Sequence, residues 1–328
     1  MADFTISRRG LMWASAAGAA GLLAPSAFAQ QRKPLPPEPD PADADIAAWV
    51  DNFGRPTAMV SVNGRGPFKF LVDTGATTTV IATRRAEAMG LQPTGVMVVN
   101  GTTGIAEVPL AYADELRAGS IKRNRVRVAL LERGSMQHWD GVLGADMFIG
   151  RRLEFDIARK TVQLTNSASE SNRVSSMSFG HGESFTLRNG VLAQLYGTIG
   201  KVRSQLIIDT GADCSIANLA LSEELRRRHK FLRREPNMTV LGVTGEVLVG
   251  EGIQLPLTRL GNVMAKDAAA IAVDAPIFKV WKLESEPAML VGVDLLSRLS
   301  RFSIDYRTRI FDATPMATLI SQGNTALG

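Results

Sequence analysis

The chain has 328 residues, enough for two ordinary domains, and its 45% hydrophobic and 21% charged content excludes a disordered or collagen-like protein. A formal charge of +5, falling to about +4 if residues 1–29 are removed with Asp3, Arg8 and Arg9, is too small to argue for a nucleic-acid partner. Cys214 is the single cysteine, so no intramolecular disulfide is available and stability must come from a core.

In chain order, "SRRGLMWASAAGAAGLLAPSAFAQ" (7–30) opens with an arginine pair, continues through an Ala- and Gly-rich apolar run and ends on A-x-A at Ala27-Phe28-Ala29. It resembles a twin-arginine export signal over residues 1–29. The other reading is a short membrane anchor, but the run is shorter than the roughly 20 residues that span a bilayer. Export predicts a periplasmic or secreted protein without stable membrane insertion once the signal is cleaved. The next stretch, "QRKPLPPEPDPADAD", is Pro-rich and acidic and reads as a tether over residues 30–48. Ser-rich "NSASESNRVSSMSFG" marks a linker over 166–182, dividing an N-terminal lobe (49–165) from a C-terminal lobe (183–315), with a tail at 316–328.

The two lobes repeat one another. "AMVSVNGRGPFKFLVDTGA" alternates in polarity, turns at Asn63-Gly64 and runs apolar into Asp73; "LAQLYGTIGKVRSQLIIDTGA" does the same into Asp209. Each acid is followed by a segment with helical spacing, "TRRAEAMGL" and "NLALSEELRRRHKFL". Each lobe then predicts a hairpin with a Gly-flanked tip, "VVNGTTGIAEV" and "TVLGVTGEVLV". "DGVLGADMF" and "AMLVGVDLL" follow, and "LEFDIARKTVQL" and "RFSIDYRTRIFD" close the halves as strand, turn, strand. The spacing between matched landmarks grows along the chain, as loop insertions in a duplicated domain produce. The fold class is therefore all-β with short helices.

A single Asp-Thr-Gly proves little, but two copies behind aliphatic runs, each followed by Ala and placed alike in its repeat, point to paired carboxylates. On Asp73-Thr74-Gly75-Ala76, Asp209-Thr210-Gly211-Ala212, Leu143-Gly144 and Val291-Gly292, the halves resemble lobes of the aspartic peptidases, in particular the retropepsin-like group. Asp213 completes "DTGAD", the retroviral form. The resemblance covers about residues 49–315 and implies a bilobal acid-protease fold with two pseudo-twofold-related lobes. It also implies an aspartic endopeptidase whose dyad, Asp73 and Asp209, shares one proton and activates a water against a polypeptide substrate. No cofactor, metal or covalent intermediate is implied. Gly75 and Gly211 would permit a tight turn, and Thr74 and Thr210 would bond across the lobe interface. Ala76 and Ala212 stand where pepsin-like enzymes often carry a hydroxyl, which predicts an optimum less acidic than pepsin's. The hairpin tips, with Thr102, Thr103 and Gly104 in one and Val243, Thr244 and Gly245 in the other, would act as substrate-binding flaps. Plain surface turns would look much the same. No tyrosine lies at either tip, so the pair resembles a retropepsin dimer fused in one chain.

Three alternatives stay open at this level. The chain could be a peptide-binding module with little or no turnover, and its halves could pair with those of a second molecule rather than within a monomer. Asp146 and Asp294 could form a second acidic pair, although capping of short helices is the simpler expectation. His138, His181 and His229 are too scattered for a metal site and read as surface or loop residues. Cys214 has no base partner and reads as a small buried residue. The basic run "RRRHKFLRREP" reads as a solvated helix face.

Overall fold

The computed structural model describes residues 48–50, 54–119, 121–132, 138–166, 182–229 and 233–316. The export signal, the linker centre, the tail beyond 316, His181 and nearly all of the tether lie outside the described residues.

Each lobe is built around the strand that delivers its acid. Pro56–Val62 and Arg65–Val72 form the first hairpin, and the turn between them places Asn63 and Gly64 at φ 52° and 70°, the left-handed pair that a two-residue hairpin requires. In the second lobe Leu192–Ile199 and Val202–Ile208 do the same, with Gly200 and Lys201 at φ 51° and 70°. Beside each acid strand runs a short parallel strand, Gly141–Leu143 or Ala288–Val291, paired on its other side with the antiparallel strand that follows the acid loop, Val80–Ala82 or Ile216–Ala217. The chain thus leaves the sheet at the acid, loops, and returns one strand away. Gly141 makes this close packing feasible: a Cβ there would run into the Phe70 ring and the Val80 carbonyl.

The helices predicted after the acids are present as Thr83–Ala86 and Leu219–Arg228. Asn218 caps the second, its side chain accepting from the Leu221 amide at 2.9 Å. Arg227 and Arg228 at its end pair with Glu224, and Arg226 pairs with Glu251, so Arg226–Arg228 form a solvated helix end, whereas the run from Arg234 is strand rather than helix. The predicted Gly-tipped hairpins are Pro93–Asn100 with Ile105–Ala118, and Arg234–Leu241 with Val247–Gln254.

A third sheet joins the halves. Its central strands are Arg151–Asp156 from the first lobe and Leu299–Asp305 from the second, flanked by Thr161–Asn166 on one side and by Ile310–Pro315 and Glu183–Ser184 on the other. Arg301 pairs with Asp156 and Asp305 with Arg152, a reciprocal register that places the pseudo-twofold axis between the strands. Phe155 and Phe302 stack across that axis with centroids 4.3 Å apart. Both aromatics are buried, and burying a side chain of this kind contributes about 1.5–3 kcal/mol. The fold is therefore all-β and bilobal, and the sheet common to both halves holds the two acid strands toward one axis.

Candidate active site

The loops carrying Asp73 and Asp209 meet at this axis with hydrogen bonds that repeat almost atom for atom. Asp73 accepts from the amides of Gly75 (2.8 Å) and Ala76 (3.0 Å). Asp209 accepts from those of Gly211 (2.9 Å) and Ala212 (3.0 Å). Their own amides are fixed to the returning strands, Asp73 to the Leu143 carbonyl and Asp209 to the Val291 carbonyl, both at 3.0 Å. Thr74 and Thr210 are fully buried and interlock. Each hydroxyl accepts from the other's amide at 3.1 Å and donates at 2.8 Å to a carbonyl on the other lobe, Ile208 or Val72.

Glycine is required on both sides for a steric reason. A Cβ on Gly75 would collide with the Asp209 carboxyl, and one on Gly211 with that of Asp73. Each loop thus leaves room for the other's acid, and the carboxyls come within hydrogen-bonding reach. Desolvation raises Asp73 above the usual carboxylate range, while the Gly75 and Ala76 amides, the Asp209 hydrogen bond and the charge of Arg55 pull it back. Asp209 is held well above that range, by burial first and by the Asp73 charge second. Two adjacent buried acids cannot both ionise cheaply, so burial and mutual repulsion hold one proton on the pair.

Asp146 and Asp294 do not serve as N-caps. The caps of the short helices Ala145–Met147 and Val293–Leu296 are Gly144 and Gly292, which lack side-chain cap bonds. Asp146 instead accepts from the Thr79 hydroxyl (2.9 Å) and amide (3.2 Å), and Asp294 accepts from the Ser215 hydroxyl (2.8 Å). These hydroxyls in turn accept from the amides of Gly144 and Gly292. Each acid therefore braces the far end of the loop that carries Asp73 or Asp209, a long-range role that helix position alone does not reveal. Burial raises both above the usual range.

Above the dyad lies a cleft of about 790 Å³, within the range of small-ligand and peptide sites. Of the six hairpin-tip residues named as flap candidates, Thr102 and Val243 line it. Thr103 and Thr244 instead occupy the contact between the tips: Thr103 is packed against Gly242 and Thr244 against Gly101. Both hydroxyls are buried and without a partner among the described residues. Gly104 lies against Glu246, and neither Gly104 nor Gly245 lines the cleft.

Cys214 lines the cleft half-buried and packs on the core, its thiol pushed up to about 12 by burial and by Asp213. A thiol so protonated is a poor nucleophile. His229 turns its ring to the Gly200 carbonyl at 2.7 Å, whereas His138, exposed, stands at the cleft wall. Tyr306 is buried behind the site, with its ionisation suppressed by burial and by the Asp73 charge.

Sequence reasoning missed Arg55 and Trp139. Arg55 is 9% exposed, lines the cleft and lies over the Trp139 ring, 4.4 Å from its centroid. The available signal was a break in the repeat. Thr57 pairs with Leu71 as Gln194 pairs with Ile207, so Arg55 corresponds to Leu192. Leu71 pairs with Val142 as Ile207 pairs with Leu290, so Trp139 corresponds to Pro287.

Residues 58–147, the body of the first lobe, match a family model described as aspartyl protease. The fold is similar to the crystal structure of an aspartic proteinase from Irpex lacteus, with a TM-score of 0.51 and 14% identity, covering 85% of this chain and 99% of that one. No curated protein matches the chain. The first lobe is therefore similar to an aspartyl protease family, and the chain as a whole shares the fold of a solved aspartic proteinase.

Proposed function

We propose that the chain is an aspartic endopeptidase acting on polypeptides, with Asp73 as general base and Asp209 as general acid. The observation that carries this is the pair of carboxyls within hydrogen-bonding reach on the floor of a peptide-sized cleft, each held by two backbone amides. Ionised Asp73 takes a proton from a water as its oxygen attacks the scissile carbonyl carbon, and Asp209 gives its proton to the carbonyl oxygen. The resulting gem-diol collapses as Asp73 returns its proton to the amide nitrogen and Asp209 takes one from a diol hydroxyl, breaking the C–N bond. The tips then act as flaps, with Thr102 and Val243 over the peptide.

Ala76 and Ala212 meet the acids through their amides alone. No hydroxyl there stabilises the ionised form, which supports an optimum less acidic than pepsin's; a pH-rate profile peaking below about pH 3 would contradict this. The decisive comparison sets the purified chain against Asp73→Ala and Asp209→Ala on a mixed peptide library. Loss of cleavage in both variants is expected. Wild-type cleavage by either variant would refute the dyad, and a folded but inactive parent would favour a peptide-binding module. The arginine pair at residues 8 and 9 supports export, and the sheet shared by both halves supports a monomer with its lobes paired within the chain; cell fractionation and sedimentation of the active species test these two points.

A further inference from the structure

A second cavity, of about 450 Å³, lies beside the loop that carries Asp73. Thr77 and Thr78 of that loop line both this cavity and the cleft, so the two spaces share a wall. Arg123 and Arg127 of the strand Ile121–Leu131 line the cavity too, as does Asp146. Between the arginines Arg125 stands at φ 50°, in the left-handed region, and the strand's alternation shifts there. Val126 and Val128 are buried after it and Ile121 before it, so Arg123, in step with Ile121, is half-buried rather than exposed.

Arg123 donates from one terminal nitrogen to the Ile149 carbonyl at 3.0 Å. Arg127 is exposed and has no ion pair or side-chain hydrogen bond among the described residues. Asp146 pairs with neither, since both of its oxygens accept from Thr79. Two arginines against one aspartate leave the lining a single positive charge at most, which matches a carboxylate better than a dianion. The second lobe shows that the fold does not require this. Val80 pairs with Ala129 as Ile216 pairs with Ile271, so Arg123 and Arg127 correspond to Ala265 and Ala269. Arg125 corresponds to Asp267, which is left-handed as well, at φ 55°. Thr77 and Thr78 correspond to Asp213 and Cys214. One backbone thus carries two cations and two hydroxyls in the first lobe, and two alanines, an acid and a thiol in the second.

We propose that this cavity is a carboxylate-binding site adjoining the cleft, with Arg123 and Arg127 supplying the charge. The carboxylate belongs either to an acidic residue of a bound peptide or to a free small acid. The first source rests on the peptidase reading; the second does not. An arginine–carboxylate bond is charge-assisted, and at a partly exposed site the exchange of Glu for Gln changes affinity by about fivefold.

Two measurements separate the sources. In one, a cleaved peptide with capped termini is extended stepwise at either end with Glu or Gln, and the readout is the Glu-to-Gln ratio of kcat/KM. In the other, N-acetylglutamate α-amide and N-acetylglutamine α-amide are titrated into the protein by calorimetry at constant ionic strength. The wild type is compared with Arg127→Ala and with Arg123→Ala combined with Arg127→Ala, which installs the second lobe's residues. Arg125→Asn removes a charge from the same strand outside the cavity and controls for net charge. A Glu preference of about fivefold at one position is expected, lowered by Arg127→Ala, near one in the double variant and kept in Arg125→Asn; this assigns the carboxylate to the peptide. Preferential binding of the glutamate derivative with the same response, but no peptide preference, keeps the site and assigns it to a free acid. A ratio near one in both measurements, one that survives the double substitution, or one that falls equally in Arg125→Asn overturns the proposal. Should the double variant not fold, Arg127→Ala, at an exposed position, must still lower the ratio. Binding that responds to Arg127→Ala without any cleavage by the wild type would sink the peptidase reading alone; cleavage with no Glu preference in either measurement would sink the site alone.

Discussion

At the floor of the cleft the two lobes contribute the same bonds with nearly the same lengths: amides onto each acid, threonine onto threonine, and Thr79 or Ser215 onto a bracing aspartate. The walls above it differ, with Arg55 and Trp139 on one side answering to Leu192 and Pro287 on the other. Sharing a proton between two acids needs two like environments facing each other across an axis. A peptide has a direction, and its side chains on the two sides of the cleaved bond differ. The internal repeat is thus matched bond for bond on the floor and broken on the walls.

The sharpest way to break this comparison is through the acids. Asp73→Asn and Asp209→Asn should each lower kcat by about 10³-fold or more, and the double variant should be hardly worse than either, because the two act as a unit. Steady-state kinetics on one good peptide would show it, and additive losses would mean that the lobes work independently.

Next come the contacts that hold the floor together. Thr74→Val and Thr210→Val each leave a buried amide and carbonyl of the opposite lobe unpaired, at a cost of about 1–3 kcal/mol per orphaned group. Chemical denaturation should give near-equal losses for the two, and a clear inequality would show that the symmetry is only geometric.

A smaller effect concerns pH. The Asp209 carboxyl is raised well above its ordinary value by burial and by Asp73, so the folded protein retains a proton that the unfolded chain gives up. Its contribution to stability is full below the unfolded carboxylate value and is lost as pH rises through the folded one. Asp209→Asn removes that loss, so its Tm should exceed the wild type's by about 2 °C or more at neutral pH and approach it in acid. Calorimetry across this range checks the trend, and a gap that narrows toward neutral pH would contradict the raised Asp209.

The least effect is expected at Cys214, which the second lobe carries where the first has Thr78. With its thiol pushed up to about 12, alkylation at neutral pH should be much slower than for a free thiol; a mass-spectrometric time course showing rapid labelling would expose a different environment.

Much of this was legible in the residues because it is local and repeated. Hydrophobic alternation, the Asn63-Gly64 turn, the helix after each acid and the acids themselves follow from short-range patterning, and duplication doubled each signal. Capping was the wrong expectation for Asp146 and Asp294, since a short-range rule was applied to acids whose partners, Thr79 and Ser215, lie far away in the chain. Thr103 and Thr244 read as substrate-binding tip residues, yet Thr103 is buried against the opposite tip and neither lines the cleft.

By itself the sequence determined the two lobes, their order of elements and the identity of the paired acids, because these depend on neighbouring residues and on internal repetition. Only the tertiary structure decided that the two acids meet buried and face to face, how the halves share a central sheet and that Arg55 stands over Trp139 in the cleft. Those outcomes depend on burial and on distances between residues remote in the chain, which the fold alone brings together.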